Sequence, residues 1–457
     1  MDPVFSSTIE LAAAIASREI SAVEALDAHL AQIDMHNEAV NAVVILDREE
    51  AYERARRADA ELAGGKTLGP LHGVPFTLKD AHETAGMKTT VGFPPFAEYV
   101  ATQDSPVVAR LKAAGAVLVG KTNVATMLGD WQSDNPLFGR TNSPWNTARA
   151  AGGSSGGAAA ALATGMTPFE VGTDMQDSIR LPAAFCGIYG LKPTEHRVSL
   201  AGAFPNPGGA PRSVRLMSCV GPLARDPEDL ALIYRIIAGP DGVDTDLPPV
   251  PLEPIPKLEL KSLRIAFASA FPGFPVVAEI GAAVERLAVQ LASAGACVEQ
   301  AKLPKVDLHD DLAEGGKLIG MMLEAAQPDP SRQPTPVSRW FAALARRDRS
   351  ILAWERFFEN CDALLCPVAM APAFPHCRPG SPLKVDGKDE SYWMLPAYGA
   401  VFNYSGHPAI AIPCGQNSDG LPIGLQLVGR RWSEARLLGI AAVIAPLTGG
   451  FRRPPGY

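Results

Sequence analysis

The sequence predicts an α/β protein whose central sheet is mixed, mostly parallel and twisted, with helices covering both faces. The main observation is that short apolar runs alternate with segments of helical periodicity from residue 73 to the last predicted helix. The composition is that of a globular protein, with 47% hydrophobic and 20% charged residues. A chain of 457 residues is also long enough to bury a large core.

The first part of the chain is predicted to be mainly helical. Ser21 and Glu24 have the spacing of a capping box, and apolar residues follow them at helical intervals. A charged helix is predicted over 48–65, where it ends in two glycines. Between these helices, the apolar run at 41–46 predicts a short buried strand.

Strands and helices alternate in the rest of the chain. Residues 105–123 and 276–301 each predict a helix, a glycine turn and a strand. Further helices are predicted over 156–166, 226–239 and 434–447, and further strands over 73–80, 167–174, 185–194, 262–269, 361–368, 407–415 and 423–429. The least regular stretches, 199–215, 240–258 and 303–336, are predicted to be surface loops.

Charge and composition argue against several classes of protein. The net charge is −8 and no run of Lys and Arg is present, which argues against a nucleic-acid partner. We expect no signal peptide and no membrane span, and therefore a cytoplasmic protein. The seven cysteines form no CxxC pair, so we expect reduced thiols and no zinc site.

The glycine-rich stretch AGGSSGGAAAALATG, residues 151–165, allows more than one interpretation. It is not a P-loop, because no Gly-Lys-Ser/Thr follows. Residues 152–156 match Gly-x-Ser-x-Gly, but the preceding SPWNTARAA does not predict the strand that a nucleophile elbow requires. A structural alternative is a loop whose glycines let a helix pack closely.

A second serine, Ser178, lies in GTDMQDSIRLPAAFCG, where no histidine is present to act as a base. A buried lysine can take that role, because burial lowers the pKa of an ammonium group. Lys79 ends the apolar run GVPFTLK, so its neighbours are expected to be buried. A lone lysine at a strand end is otherwise more often a solvated surface residue.

Taken together, these segments resemble the amidase signature family of serine hydrolases. GVPFTLKDAHETAGMKTTVG resembles the lysine segment of that family, and Ser154 and Ser178 are 24 residues apart, as the two signature serines are in many members. The likeness extends from about residue 7 to 447. It implies the amidase-signature fold in a single domain over 1–457, with a mainly helical part at 1–65, a catalytic core at 66–200 and the remaining sheet, helices and substrate-pocket loops at 201–457.

The resemblance also implies a catalytic triad and a mechanism. Neutral Lys79 takes a proton from Ser154, which takes one from Ser178, and Ser178 attacks the carbonyl carbon. Ser154 would follow a cis peptide bond. The oxyanion hole would consist of the backbone N–H groups of Met175, Gln176, Asp177 and Ser178.

This chain departs from the family at the oxyanion hole, where most members have Gly-Gly and it has Gln176-Asp177. Side chains leave the N–H donors in place, but a position that needs positive φ costs a non-glycine residue about 1 kcal/mol or more. A carboxylate aimed at the oxyanion would be unfavourable. We therefore expect Asp177 to point away from it, towards solvent or a backbone donor.

Two further sets of residues are assigned to the site. Supporting roles are expected for Ser155, Thr173, Asp174 and Arg180, the last two as a buried ion pair that holds the turn. Substrate-pocket roles are expected for Met127, Trp131, Phe138 and Tyr404, although residues of these types are as common in an ordinary core.

The predicted activity is hydrolysis of amide C–N bonds in neutral aryl or alkyl amides, with carbamates (urethanes) as a second substrate class and esters as a side activity. The stretch 303–345 is short for the family, which favours an open cleft. The partner is a small-molecule amide or carbamate, no cofactor or metal is expected, and the protein is a monomer or homodimer. The alternatives are a glutaminase-type subunit of a tRNA-dependent amidotransferase, whose signature usually reads Gly-Gly-Ser-Ile-Arg-Gln, and a weakly active or non-catalytic member.

Overall fold

The helices and strands are given by a computed structural model that describes residues 2–205, 212–326, 331 and 333–457. The helices are α1 Thr8–Ala16, α2 Ala22–Val40, α3 Arg48–Ala63, α4 Pro106–Ala113, α5 Gly156–Ala163, α6 Arg180–Cys186, α7 Pro227–Ile237, α8 Ala278–Ser293, α9 Leu308–Ala326, α10 Val337–Phe357, α11 Ala397–Tyr404 and α12 Glu434–Thr448. The strands are β1 Val43–Leu46, β2 Pro75–Lys79, β3 Val117–Thr122, β4 Asp134–Asn135, β5 Gly139–Arg140, β6 Asn142–Ser143, β7 Asn146–Ala150, β8 Phe169–Asp174, β9 Tyr189–Lys192, β10 Cys219–Ala224, β11 Arg264–Phe267, β12 Cys297–Gln300, β13 Ala363–Pro367, β14 Leu383–Val385, β15 Lys388–Glu390, β16 Ala409–Gln416 and β17 Pro422–Val428.

Eight of the described strands form the central sheet, in the order β12-β11-β13-β17-β16-β9-β10-β8. The α/β class and the mixed sheet are therefore confirmed. The expectation that the sheet is mostly parallel is wrong, because among these described strands only β12-β11 and β11-β13 are parallel and the other five pairs are antiparallel. The physical reason lies in the connections: β16 and β17 are joined by a short turn, which only antiparallel neighbours allow.

The central sheet is covered on both faces. Every residue of β8, β10, β13 and β17 is buried. Because successive side chains of a strand point to opposite faces, a strand that is buried throughout must have neighbours on both sides. Helices therefore flank the sheet as the sequence predicted.

A second, three-stranded sheet with the order β1-β3-β2 carries Lys79 at the end of β2. This small sheet is joined to β8 of the central sheet through buried polar contacts. Thr77 Oγ1 donates to Glu170 Oε1 at 2.6 Å, and Thr77 N–H donates to Thr167 Oγ1 at 3.0 Å. At the far ends of the same strands Lys79 Nζ lies 2.8 Å from Thr173 Oγ1, so the ends of β2 and β8 meet at one place.

The predicted N-terminal helices are present with their caps. Ser21 is the N-cap of α2, and both hydrogen bonds of the capping box with Glu24 are formed. The predicted strand and charged helix correspond to β1 and α3. Among the described residues, none of the helices combines the length and the apolar character that a membrane crossing needs.

Several elements differ from the sequence predictions. The strand predicted over 185–194 begins only at Tyr189, because Phe185 and Cys186 complete α6. The loop predicted over 303–336 contains α9 instead, and α10 and α11 were not predicted at all. Of the predicted loops, residues 206–211, 327–330 and 332 lie outside the described residues.

Candidate active site

Lys79 is the last residue of β2 and its side chain is fully buried. Its Nζ lies 2.8 Å from Ser154 Oγ, 2.8 Å from Thr173 Oγ1 and 3.3 Å from the Thr173 carbonyl oxygen. Burial lowers the pKa of Lys79 to about 7, and the negative charges of Asp174 and Glu170 only partly oppose this shift. A large fraction of Lys79 is therefore neutral near pH 7 and able to accept a proton.

Ser154 is held by a close-packed glycine loop that precedes α5. The peptide bond between Gly153 and Ser154 is cis. A Cβ on Gly153 would lie 2.6–2.8 Å from backbone atoms of residues 130–132, so only glycine fits at that position. Ser133 Oγ, which donates to the Ser154 carbonyl oxygen at 3.2 Å, also accepts from the N–H of Gly156 at 2.8 Å. The glycines of this loop therefore allow close packing, as one interpretation of the sequence predicted, and the same packing holds Ser154 in place.

Ser178 lies in the turn between β8 and α6 and is 7% exposed. Its carbonyl oxygen accepts a hydrogen bond from Ser155 N–H at 3.2 Å, which ties the turn over 175–179, here called the nucleophile turn after the predicted role of Ser178, to the Ser154 loop. In the described part of the chain no hydrogen bond joins Ser154 Oγ to Ser178 Oγ. The link between Lys79 and Ser154 is therefore formed, whereas the next link of the relay stays a prediction.

Asp174 and Arg180 form a fully buried ion pair beneath the nucleophile turn. Arg180 Nε donates to Asp174 Oδ2 at 3.0 Å, and Nη2 donates to Oδ1 at 3.1 Å. Burial alone would raise the pKa of Asp174, but the charges of Arg180 and Lys192 and the hydrogen bonds from Arg180 and Asn403 together outweigh burial and lower it to about 2. Asp174 is an anion at all ordinary pH values.

Asn403 of α11 completes this network and was not identified from the sequence. Its Nδ2 donates to Asp174 Oδ1 at 2.9 Å and to the Met217 carbonyl oxygen at 3.0 Å, while its Oδ1 accepts from Arg180 Nη2 at 2.7 Å. A single Asn more than 220 residues from its partner gives no local signal, so only the fold reveals the contact.

The four predicted oxyanion donors are not equivalent. The N–H of Asp177 already donates to Asp174 Oδ1 at 2.9 Å and to Asn403 Oδ1 at 3.3 Å. Its assignment to the oxyanion hole is therefore corrected, because the amide points into the carboxylate network. The N–H groups of Met175, Gln176 and Ser178 remain the candidates.

The conformation of Asp177 also differs from part of the expectation. Its φ is 74°, so this position, where the resemblance leads us to expect glycine, has the left-handed backbone conformation. The side chain does not reach solvent or a backbone donor: it is fully buried, and among the described residues neither carboxyl oxygen has a hydrogen-bond partner. Instead, Oδ1 lies 3.3 Å from Arg180 Nε.

One of the four predicted pocket residues is hydrogen-bonded to the turn that carries Ser178, and a second belongs to an apolar cluster that adjoins this turn. Trp131 Nε1 donates to the Gln176 carbonyl oxygen at 3.1 Å. Tyr404 packs in a small apolar cluster that includes Met175, Met217, Leu318 and Ala343. Within the part of the chain that the structure describes, the Tyr404 hydroxyl is buried without a hydrogen-bond partner.

Met127 and Phe138 show no comparable contact within the described ranges. Met127 is 42% exposed and donates its backbone N–H to the Val91 carbonyl oxygen, and the Phe138 carbonyl oxygen accepts from Asn41 Nδ2. These hydrogen bonds involve backbone atoms of Met127 and Phe138 and do not place either side chain. The pocket roles of Met127 and Phe138 therefore stay predictions.

Comparison with known proteins identifies the family to which this fold belongs. The sequence model of the family described as Amidase matches residues 24–329 and 319–438. The chain therefore belongs to the amidase family, and its fold is that of the amidase-signature enzymes.

Individual relatives cover nearly the whole chain. A glutamyl-tRNA(Gln) amidotransferase subunit of Moorella thermoacetica is 34% identical over 499 residues, covering 100% of this chain and 99% of that protein. The acylamidase of Rhodococcus erythropolis is 32% identical, covering 95% of this chain and 94% of that one. The structure of 6-aminohexanoate cyclic dimer hydrolase superposes with a TM-score of 0.82 at 29% identity, covering 99% of both chains.

Proposed function

We propose that this protein is a serine hydrolase that cleaves amide C–N bonds through an acyl-enzyme on Ser178. The observation that carries the proposal is the buried contact between Lys79 Nζ and Ser154 Oγ at 2.8 Å. A fully buried lysine that contacts a serine hydroxyl and has a lowered pKa is suited to remove a proton from that hydroxyl.

The reaction follows from these positions. The Lys79 nitrogen accepts the proton of Ser154 while Ser154 accepts that of Ser178, and Ser178 Oγ bonds to the carbonyl carbon. The C–N bond then breaks, and the proton returns through Ser154 to the leaving amine. Water attacks the resulting ester by the same relay, which releases the acid and restores Ser178.

The negative charge of the tetrahedral intermediate needs donors in a fixed position. We assign this role to the N–H groups of Met175, Gln176 and Ser178, each typically worth about 3 kcal/mol in such a site. Trp131 supports the assignment, because its hydrogen bond to the Gln176 carbonyl oxygen fixes a peptide group of the same turn. Thr173 and Ser155 have supporting roles, through Lys79 Nζ and the Ser178 carbonyl oxygen respectively.

Neutral aryl and alkyl amides are the proposed substrates. An apolar cluster around Tyr404 adjoins the turn at Met175, and the helices α9 and α10 contribute Leu318 and Ala343 to it. The similarity to an acylamidase supports an amide substrate. Carbamates and esters present the same carbonyl to Ser178, and we propose them as further substrates.

A glutaminase-type component of an amidotransferase is the second candidate. The observation in its favour is the 34% identity, over the full chain, to a protein of that kind. Against it, this chain has Gln-Asp before the serine and Leu181 after Ile-Arg, where those proteins usually have Gly-Gly and Gln.

One substrate panel tests these proposals together. The purified protein is assayed with p-nitroanilide amides, aryl carbamates, p-nitrophenyl esters and free glutamine, in parallel with Ser178→Ala. We expect turnover of the amides and its loss in Ser178→Ala. Ammonia release from glutamine without amide turnover would favour the amidotransferase component. Turnover by Ser178→Ala near the parent rate would refute the serine mechanism.

A further inference from the structure

The side chain of Asp177 has no part in the mechanism above, although it directly precedes the nucleophile. It is fully buried in a left-handed backbone conformation that glycine adopts without strain. Within the described residues, both of its carboxyl oxygens lack hydrogen-bond partners. Burying an ionised carboxylate without such partners is very unfavourable, so this arrangement favours the neutral acid.

The neighbouring cation, Arg180, cannot serve Asp177 as a hydrogen-bond donor. Arg180 Nε lies 3.3 Å from Asp177 Oδ1, but a guanidinium has five N–H donors and all five are already used. Their acceptors are Asp174 Oδ1 and Oδ2, Asn403 Oδ1, Gln426 Oε1 and the Gly399 carbonyl oxygen.

The surrounding charges are also balanced without Asp177. The charged and titratable groups that face it are Asp174 at the end of β8, Arg180 of α6 and Cys366 of β13. Asp174 already neutralises Arg180, and burial keeps Cys366 as a thiol by raising its pKa. Burial raises the pKa of Asp177 well above its ordinary value, an effect that Arg180 opposes and Asp174 reinforces.

The side chain fits because residue 399 is glycine. A Cβ on Gly399 would overlap Asp177 Oδ1 and would lie 2.7 Å from Asp177 Cβ. The helix α11 therefore approaches the nucleophile turn closely enough for Asp177 to fill the space between them. The Gly399 carbonyl oxygen also accepts one of the five hydrogen bonds that Arg180 donates. The same residue of α11 therefore contacts both the Asp177 side chain and the Arg180 guanidinium.

We propose that Asp177 is a positioning residue for Ser178 that works as a neutral carboxylic acid packed between Gly399 and Arg180. The inference rests on the proposed function of Ser178. Ionisation would place a second anion beside Asp174, where it competes for Arg180 and displaces the turn that holds the nucleophile. Activity therefore falls at high pH as Asp177 loses its proton, while Lys79 governs the fall at low pH.

The test compares pH profiles of kcat and kcat/KM for the parent and Asp177→Asn, which has the same shape and cannot ionise. Because Asp177→Asn preserves the neutral, packed side chain, we expect it to lack the alkaline limb of the parent. Asp177→Gly, a second variant without the carboxyl group, is expected to lack that limb as well. An alkaline limb that persists in both variants would overturn the proposal.

A double-mutant cycle tests the packing that the proposal requires. Gly399→Ala alone is expected to lower kcat strongly, because its methyl group overlaps Asp177. In the Asp177→Gly background the same change is expected to be tolerated, since the overlapping carboxyl group is gone. Equal effects of Gly399→Ala in both backgrounds would contradict the paired packing.

Thermal unfolding separates this inference from the proposed function. A carboxyl group with a raised folded-state pKa stabilises the fold below its ordinary pKa and loses that contribution as the pH rises to the folded-state value. The melting temperature of Asp177→Asn relative to the parent is therefore expected to increase with pH and then level off. A difference independent of pH would overturn the inference about Asp177. Activity retained by Ser178→Ala would refute the mechanism and leave this result unaffected.

Discussion

The pH dependence of kcat/KM gives the most quantitative prediction about Lys79. Only the neutral amine can accept the Ser154 proton, and burial sets the pKa of Lys79 to about 7. Two pH units below that value, about 1% of the enzyme holds a neutral lysine, so kcat/KM at pH 5 is expected to be about 100-fold below the plateau. The acid limb should approach a slope of about one per pH unit.

The assay uses a neutral p-nitroanilide or ester substrate, whose own charge is constant over pH 5–9. The matched variant is Lys79→Met, which keeps an unbranched apolar side chain at this fully buried position and removes the base. We expect it to lose nearly all turnover at every pH. A parent profile that is flat between pH 5 and 8, or a Lys79→Met variant with parental kcat/KM, would refute the reasoning about the base.

The remaining predictions concern the groups that support the turn. Trp131→Phe keeps an aromatic ring but loses the hydrogen bond to the Gln176 carbonyl oxygen, so kcat is expected to fall by about fivefold to tenfold, the equivalent of one hydrogen bond of about 1 kcal/mol. The control is Trp432→Phe, whose ring lies against the Arg431 guanidinium, and an equal effect of both variants would argue against the role of the bond. Arg180→Met leaves the Asp174 carboxylate buried without its cation, so the free energy of unfolding in urea is expected to fall by about 3–5 kcal/mol. The exposed Arg430→Met is expected to cost about 1 kcal/mol or less, and a similarly small loss for Arg180→Met would show that the buried pair does not hold the fold together.

The sequence was most informative where a pattern is local. The capping box at Ser21, the strand that ends at Lys79 and the helix after the glycine loop are all present as predicted. Each follows from residues that are adjacent in the chain, so periodicity and capping chemistry are sufficient to find it.

The elements that were missed depend on contacts between distant segments. In α9, the pair Gly315-Gly316 resembles a loop signal, but a Cβ on Gly315 would lie 3.1 Å from Met217 and 3.3 Å from Tyr404. Gly315 is therefore needed for close packing of α9 against Met217 and Tyr404. The periodicity of the sequence gives no sign of that packing. The prediction of a mostly parallel sheet was wrong for a related reason. The direction of a strand depends on which strands it pairs with, and β16 pairs antiparallel with both β17 and β9.

The environment of Asp177 could not be predicted either. The sequence shows that a carboxylate replaces glycine, but whether it is solvated depends on α11, more than 200 residues away. Gly399 and Asn403 have no local pattern that links them to the nucleophile turn. Only the fold shows that the Asp177 carboxyl group is buried against Gly399 and that the backbone N–H of Asp177 donates to Asn403 Oδ1.

Covalent labelling of the nucleophile tests the central claim most directly. The parent protein, Ser178→Ala and Lys79→Met are treated with a fluorophosphonate, and the adduct is located by intact mass and peptide mapping. We predict one adduct on Ser178 in the parent, none in Ser178→Ala, and much slower labelling of Lys79→Met because its base is missing. A folded parent that stays unlabelled, or a label on another serine, would contradict the assignment of Ser178 as the nucleophile.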